Sequence, residues 1–212
     1  MEVTTQAKRE AVKKWLGTGS INLFGIQFSG KDTQGRRLAD WVGGWLLGGG
    51  ELSRRLADEL PPEARKNTEA GQLLPRDVFM KLMPPFLMRD EFAGKPLVLS
   101  AVGRMHGEED GIVKVCNDSG HQMKAVVWLN MDEPLVWERW RKMAQVKDRV
   151  ARTDDAEAGL RTRIEWFKQW TVPVKEFYTK RGMVINVDGG QSPDEVEAAI
   201  LDGLYEFATR LA

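Results

Sequence analysis

Apolar residues in this chain fall into short unbroken runs separated by longer amphipathic stretches. Residues 21–24 (INLF), 95–100 (KPLVLS), 125–129 (AVVWL) and 183–187 (MVINV) read as strands, and 45–47 is a further short strand bounded by glycines. Continuous runs lack the alternation of a strand with one wet face, so these strands are expected to be covered on both sides, as in a parallel sheet. Between them the period lengthens to that of helices. Residues 5–16 place Ala7, Val12, Trp15 and Leu16 on one side and end at Gly17 and Gly19. A second helix runs from Thr33 through Leu38, Trp41 and Val42 to Gly43 and Gly44, and a third covers 51–60. Pro75 opens a helix bearing Val78, Phe79, Leu82 and Met83, whereas 61–71 reads as less regular. Residues 134–143 and 155–181 are helical, the latter bent at Pro173, and 144–154 is strongly charged. Ser192, Pro193 and Glu195 form a capping box at the start of the last helix. Alternating strands and helices predict an α/β fold: three layers, α/β/α, around a central parallel five-stranded sheet.

At 212 residues the chain suits one domain over 21–212, preceded by an N-terminal helical extension over 1–20. Thirty-one basic and thirty-one acidic residues cancel, so no global field holds the protein on nucleic acid or an anionic membrane. Any anion must be bound locally. The lone Cys116 excludes an internal disulfide framework and a Cys-rich metal site, fits a reducing compartment, and reads as a small buried apolar residue. No apolar run is long enough to span a membrane and the first residues lack a secretory pattern, so the expectation is a soluble cytoplasmic monomer. Tryptophans at 41, 45, 128, 137, 140, 166 and 170 are read as packing residues.

The candidate chemistry lies at 21–33, INLFGIQFSGKDT. Gly25, Gly30 and Lys31 satisfy G-x-x-x-x-G-K. Such a turn points several backbone N–H groups inward, the helix that follows adds its positive end, and the lysine supplies a mobile ammonium. A glycine turn with a solvated lysine would account for neither the preceding strand nor the following helix.

Beyond this P-loop, residues 21–206 resemble the adenylate kinase family of nucleoside monophosphate kinases. GIQFSGKDTQGRRLAD is similar to the family's first loop and helix, GGELSRRL to its monophosphate-binding segment, and GQLLPRDV to its G-x-L-V-x-D-E. LVLSAVGR stands where the family has a strand ending in D-G-F-P-R, and RTDDAEAGLRTRIEWF resembles its R-x-D-D followed by a second arginine. The ending FYTKRGMVINVDGGQSPDEV also matches.

The resemblance implies a P-loop kinase that moves the γ-phosphoryl group of ATP, with Mg²⁺, to a nucleoside monophosphate, most simply AMP. It implies a helical acceptor-binding insertion at 51–89 and a short lid at 143–154. Lys31, Arg104, Arg152 and Arg163 would act on the transferring phosphoryl group. Gly25, Ser29, Gly30, Asp32, Thr33, Arg139 and Gly190 would line the ATP site, with Arg139 against the adenine. Gly50, Glu51, Arg54, Gly103, Arg104 and Glu108 would hold the acceptor. Arg55 and Arg141 are neighbours that could exchange roles with Arg54 and Arg139. Asp154 and Asp155 could orient lid arginines or favour the next helix.

Departures from the pattern are specific. Ser100 replaces the strand-end carboxylate that normally helps to hold hydrated Mg²⁺, while Asp32 introduces a carboxylate beside the P-loop lysine. Asp32 is therefore expected to take over as a water-mediated Mg²⁺ partner, against the alternative of a helix-start acid that repels phosphate. Phe28 stands where glycine is usual, which predicts steric strain. Gly49 and Glu108 stand where the family has a threonine and a glutamine that meet the acceptor base. A carboxylate only accepts, so GMP is an alternative acceptor. A catalytically retired nucleotide-binding protein is a further alternative. Lys142, Lys147 and Arg149 could supply lid charge, and no zinc-type ligand set is present there.

Overall fold

Five strands hydrogen-bond side by side in the order β2-β3-β1-β4-β5, every pairing parallel. They are β1 (Ser20–Gly25), β2 (Trp45–Gly48), β3 (Leu97–Ser100), β4 (Met123–Asn130) and β5 (Val184–Asp188). This computed structural model describes residues 3–49, 52, 55, 56, 59–69, 75–145 and 157–210. The sheet is the one expected from the continuous apolar runs. Every residue of β1 and β3 is buried. β1 lies at the centre, flanked by β3 and β4; the connection after β1 runs to β2 on one side, and the connection after β3 crosses to β4 on the other. The carboxyl end of such a strand opens a crevice, where ligands of open α/β sheets bind.

Successive strand residues feed two different cores. On one face Ile21, Leu23, Val127 and Val187 pack with Leu38 and Val42 of α2 (Lys31–Val42) and with Val196, Ile200 and Leu204 of α9 (Pro193–Arg210). The same face is closed by α1 (Thr5–Leu16), whose Val12 and Leu16 are buried and whose N-terminus is capped by Thr4 Oγ1. Lys8 pairs with Asp202 at 2.6 Å and Arg9 with Glu197 at 2.7 Å, which fixes α1 on α9. On the other face Leu97 and Leu99 pack with Phe79, Met83 and Phe86 of α4 (Arg76–Leu87) and with Ile112 and Cys116 of α5 (Glu109–Asp118). Cys116 is fully buried, as expected.

Several expectations change. Residues 62–69, expected to be irregular, form a helix, α3 (Pro62–Glu69), because Pro62 takes the first helical position, where a missing N–H costs nothing, and Glu63 sits in the first turn. α5 was not expected at all; Glu109 and Asp110 in its first turn and Ile112, Val115 and Cys116 on one face are its signals. α2 begins at Lys31, two residues before Thr33. Half of the helix expected over 51–60 lies outside the described residues; within it Leu52, Leu56 and Leu60 are buried. α6 (Glu133–Gln145) matches the expected helix there.

The long helix is in three parts: α7 (Glu157–Trp166), a π turn (Phe167–Thr171) and α8 (Val172–Lys180). Val172 N–H bonds back to Phe167 O, and Pro173, with no N–H of its own, follows immediately. The wide turn leaves Trp170 O to accept from His106 N–H at 3.0 Å. It also corrects the reading of the tryptophans: Trp128 is buried, but Trp166 and Trp170 are 40% and 41% exposed.

Candidate functional site

The chain leaves β1 at Gly25 and re-enters regular structure at Lys31, the first residue of α2. In between it makes a tight turn. Ser29 N–H bonds to Ile26 O at 3.1 Å, and Phe28 and Gly30 adopt left-handed backbone angles of φ 62° and 86°. At Gly30 this conformation is free of strain. At Phe28 it is strained, as its sequence position predicts, and a side-chain cation holds it: Arg139 Nη1 donates to Phe28 O at 3.0 Å. Gly25 must lack a Cβ because one would collide with Ser29 Oγ, folded inside the turn. That hydroxyl is buried and has no hydrogen-bond partner, a state that a phosphate oxygen would relieve.

Three cationic side chains meet at this turn. Lys31 is half-buried at the start of α2. Its pKa lies below the ordinary lysine value, first because burial removes water from the ammonium and further because Arg104 and Arg163 are close; Asp32 opposes the shift. Burial and the proximity of Arg163 likewise depress Arg104, against the pull of Glu108. The fold thus brings Lys31, Arg104 and Arg163 together from α2, the loop after β3 and α7. Like charges gathered in a partly dry crevice await an anion.

Asp32 and Ser100 are also neighbours. Ser100 Oγ donates to Asp32 Oδ1 at 2.7 Å across the ends of β3 and α2, and Ser100 is itself 4% exposed. Thr33 follows on the exposed first turn of α2. Carboxylate and hydroxyl oxygens beside a phosphate cradle are the hard donors that suit Mg²⁺, so this site fits that ion.

The loop after β3 is pinned on several sides. Ala101 is left-handed at φ 53°, a strain that the sequence reading missed. Its signal was an alanine at a place where D-G-F-P-R has glycine. Gly103, at φ 68°, sits against Ile112, so a side chain there would clash. Glu108 is buried, with Oε2 accepting from Met105 N–H at 3.1 Å. Burial raises its pKa above the usual carboxylate value; the Met105 amide, Arg76 and Arg104 hold it down. Glu109 is buried too, its Oε1 2.9 Å from His106 Nδ1. Glu108, expected at the acceptor base, and Glu109 tie this loop to the start of α5.

On the other side of the turn, Ser29, Gly30, Thr33, Gln34, Arg139 and the segment 189–193 line a groove of about 450 Å³. Arg139 does more than face it. Nη2 donates to Gly190 O at 2.9 Å and to Gln191 O at 3.2 Å, so one guanidinium joins the phosphate turn to the loop after β5. Arg141 is exposed and makes no such bonds, while Arg55 pairs with Glu91 at 3.2 Å and lies over Trp45. Lys142 pairs with Glu138 at 2.6 Å on its own helix. The candidates Gly50, Glu51, Arg54, Arg152, Lys147, Arg149, Asp154 and Asp155 lie outside the described residues.

Comparison with protein-family models finds no match. Comparison with known proteins finds adenylate kinases. The chain is 26% identical to that of Micrococcus luteus over 186 residues, 86% of this chain and 89% of the relative. It is 29% identical to that of Stenotrophomonas maltophilia over 182 residues, 84% of this chain and 95% of the relative. It is 29% identical to that of Thermus thermophilus over 184 residues, 85% of this chain and 94% of the relative.

Proposed function

We infer that this chain, a divergent relative of the adenylate kinases, is an ATP-dependent phosphotransferase whose acceptor is a nucleoside monophosphate, specifically AMP. The convergence of Lys31, Arg104 and Arg163 on one phosphate turn carries this reading. Phosphoryl transfer asks little covalent help of a protein. It needs two anionic nucleotides held in line and the charge of the transferring group spread over fixed cations.

Each element then has a task. The inward N–H groups of 25–31 and the Ser29 hydroxyl cradle the donor phosphates. Lys31 reaches the β- and γ-phosphates, and Arg163 meets the group in flight with Arg152. Arg104 holds the acceptor phosphate. The adenine of ATP occupies the groove beneath Arg139, whose donor edges are occupied by carbonyls and whose flat face remains for stacking. The helices between β2 and β3, within 51–89, form the acceptor insertion with Gly50, Glu51 and Arg54; the segment 143–154 is the lid. Gly103 and Glu108 place the acceptor base. Asp32 and the Thr33 hydroxyl would hold Mg²⁺ beside the cradle, and its charge would offset part of the charge on the phosphates.

The test is turnover with ATP·Mg²⁺ against AMP, GMP, CMP, UMP and dTMP, products separated by ion exchange. ADP formation fastest with AMP is expected. Preference for GMP would reassign Glu108, and no transfer to any acceptor would reject the kinase reading. Arg139→Ala is expected to raise KM for ATP about tenfold, since it removes both the stacking face and the guanidinium that ties the phosphate turn to the loop after β5. KM for the acceptor should change little.

A further inference from the structure

Asp32 is the one position in the phosphate turn 25–33 where the charge has the wrong sign for a phosphate. A carboxylate at the first turn of a helix is ordinarily neutral or favourable, because it meets the positive end of the helix. Here that end is also where the anion must bind. Nor does the carboxylate lie out along the helix: the buried Ser100 hydroxyl donates to its Oδ1 at 2.7 Å and draws it toward the ends of the strands. Register makes this contact possible, since Ser100 is paired with Leu23 of β1, the strand that feeds the turn. The carboxylate consequently stands close enough to Lys31 to oppose the lowering of its pKa by burial. It acts on whatever the lysine binds.

Metal-free ATP would bring three or more negative charges to a cradle that already holds one. Lys31, Arg104 and Arg163 attract it; Asp32 opposes it. A divalent cation on the phosphates reverses the sign of the Asp32 contribution, because the carboxylate then faces the hydrated ion. The buried, unpartnered Ser29 hydroxyl shows independently that the turn is shaped for a ligand oxygen. We propose that Asp32, oriented by Ser100, makes donor binding itself conditional on a divalent cation: the site accepts ATP·Mg²⁺ and discriminates against metal-free ATP. Ser100 is a positioning residue in this device. The proposal rests on ATP being the donor.

Calorimetric titration with a non-hydrolysable ATP analogue tests it, once with Mg²⁺ and once with a chelator. Wild-type protein is expected to bind the metal-free analogue at least about tenfold more weakly. In Asp32→Asn, an isosteric change at an exposed position, metal-free binding should strengthen and the ratio fall toward one. Ser100→Ala, which releases the carboxylate, should give an intermediate ratio. With Mn²⁺ in place of Mg²⁺, the electron paramagnetic resonance signal of the protein–nucleotide complex should report weaker cation retention in Asp32→Asn. Equal affinity of the wild type with and without metal, or a ratio unchanged by Asp32→Asn, overturns the proposal while leaving the kinase reading intact. Absence of binding under both conditions overturns the choice of ATP as donor, and the proposal with it.

Discussion

Replacing Lys31 with methionine is expected to lower kcat by about 10²–10³-fold, the loss typical of one preorganised charge that acts on the transition state. The unliganded protein should be no less stable for it. Methionine keeps the stem and its packing, while the native ammonium is disfavoured by burial and by Arg104 and Arg163. The sign of the pH dependence follows. The folded-state pKa lies below the unfolded value of 10.5, so the unfolded chain binds more protons between the two, and wild-type stability rises with pH across that window. Chemical denaturation of both proteins from neutral pH toward pH 10 should therefore show the wild type gaining on Lys31→Met. Loss of turnover with a parallel loss of stability would mean that Lys31 is structural.

Truncating Phe24 to alanine is expected to destabilise the fold by about 3–5 kcal/mol, as for large aromatic side chains in tight cores. Phe24 is fully buried. Its ring stacks on Trp128 at 5.4 Å between centroids, with 21° between the planes, and lies 6.1 Å from Tyr178. It also immediately precedes Gly25, so the cavity would open beneath the phosphate turn. Urea unfolding followed by circular dichroism measures the loss; a value under about 1 kcal/mol would mean that the ring is not packed as described.

The sheet was legible because its strands are unbroken apolar runs, a pattern that burial on both faces demands. The turn was legible because Gly25, Gly30 and Lys31 combine spacing with context. Where reading failed, the cause was local. Two prolines and a polar stretch concealed α3, although Pro62 at the first helical position is a start signal. Glu109 is the buried first residue of α5, a helix that no unbroken apolar run announces. Trp170 lies within a π turn, which shifts the helical register by a residue and leaves no mark in the hydrophobic period, and Trp166 lies off the Leu160 and Ile164 face of α7. Sequence suggested that an acid had moved from the end of β3 to the P-loop. Only strand register reveals that Ser100 and Asp32 touch. Likewise the strain at Phe28 was readable from its residue type, but the guanidinium that holds it comes from Arg139, distant in sequence.

The most direct measurement is the fate of the terminal phosphoryl group. With ATP labelled at the γ-phosphorus, AMP and Mg²⁺, the label should appear at the β-position of ADP formed from AMP, and Lys31→Met should abolish nearly all of it. Label released as inorganic phosphate, or retained in ATP with no ADP formed from AMP, would contradict the reading of this crevice as a site of transfer between two nucleotides.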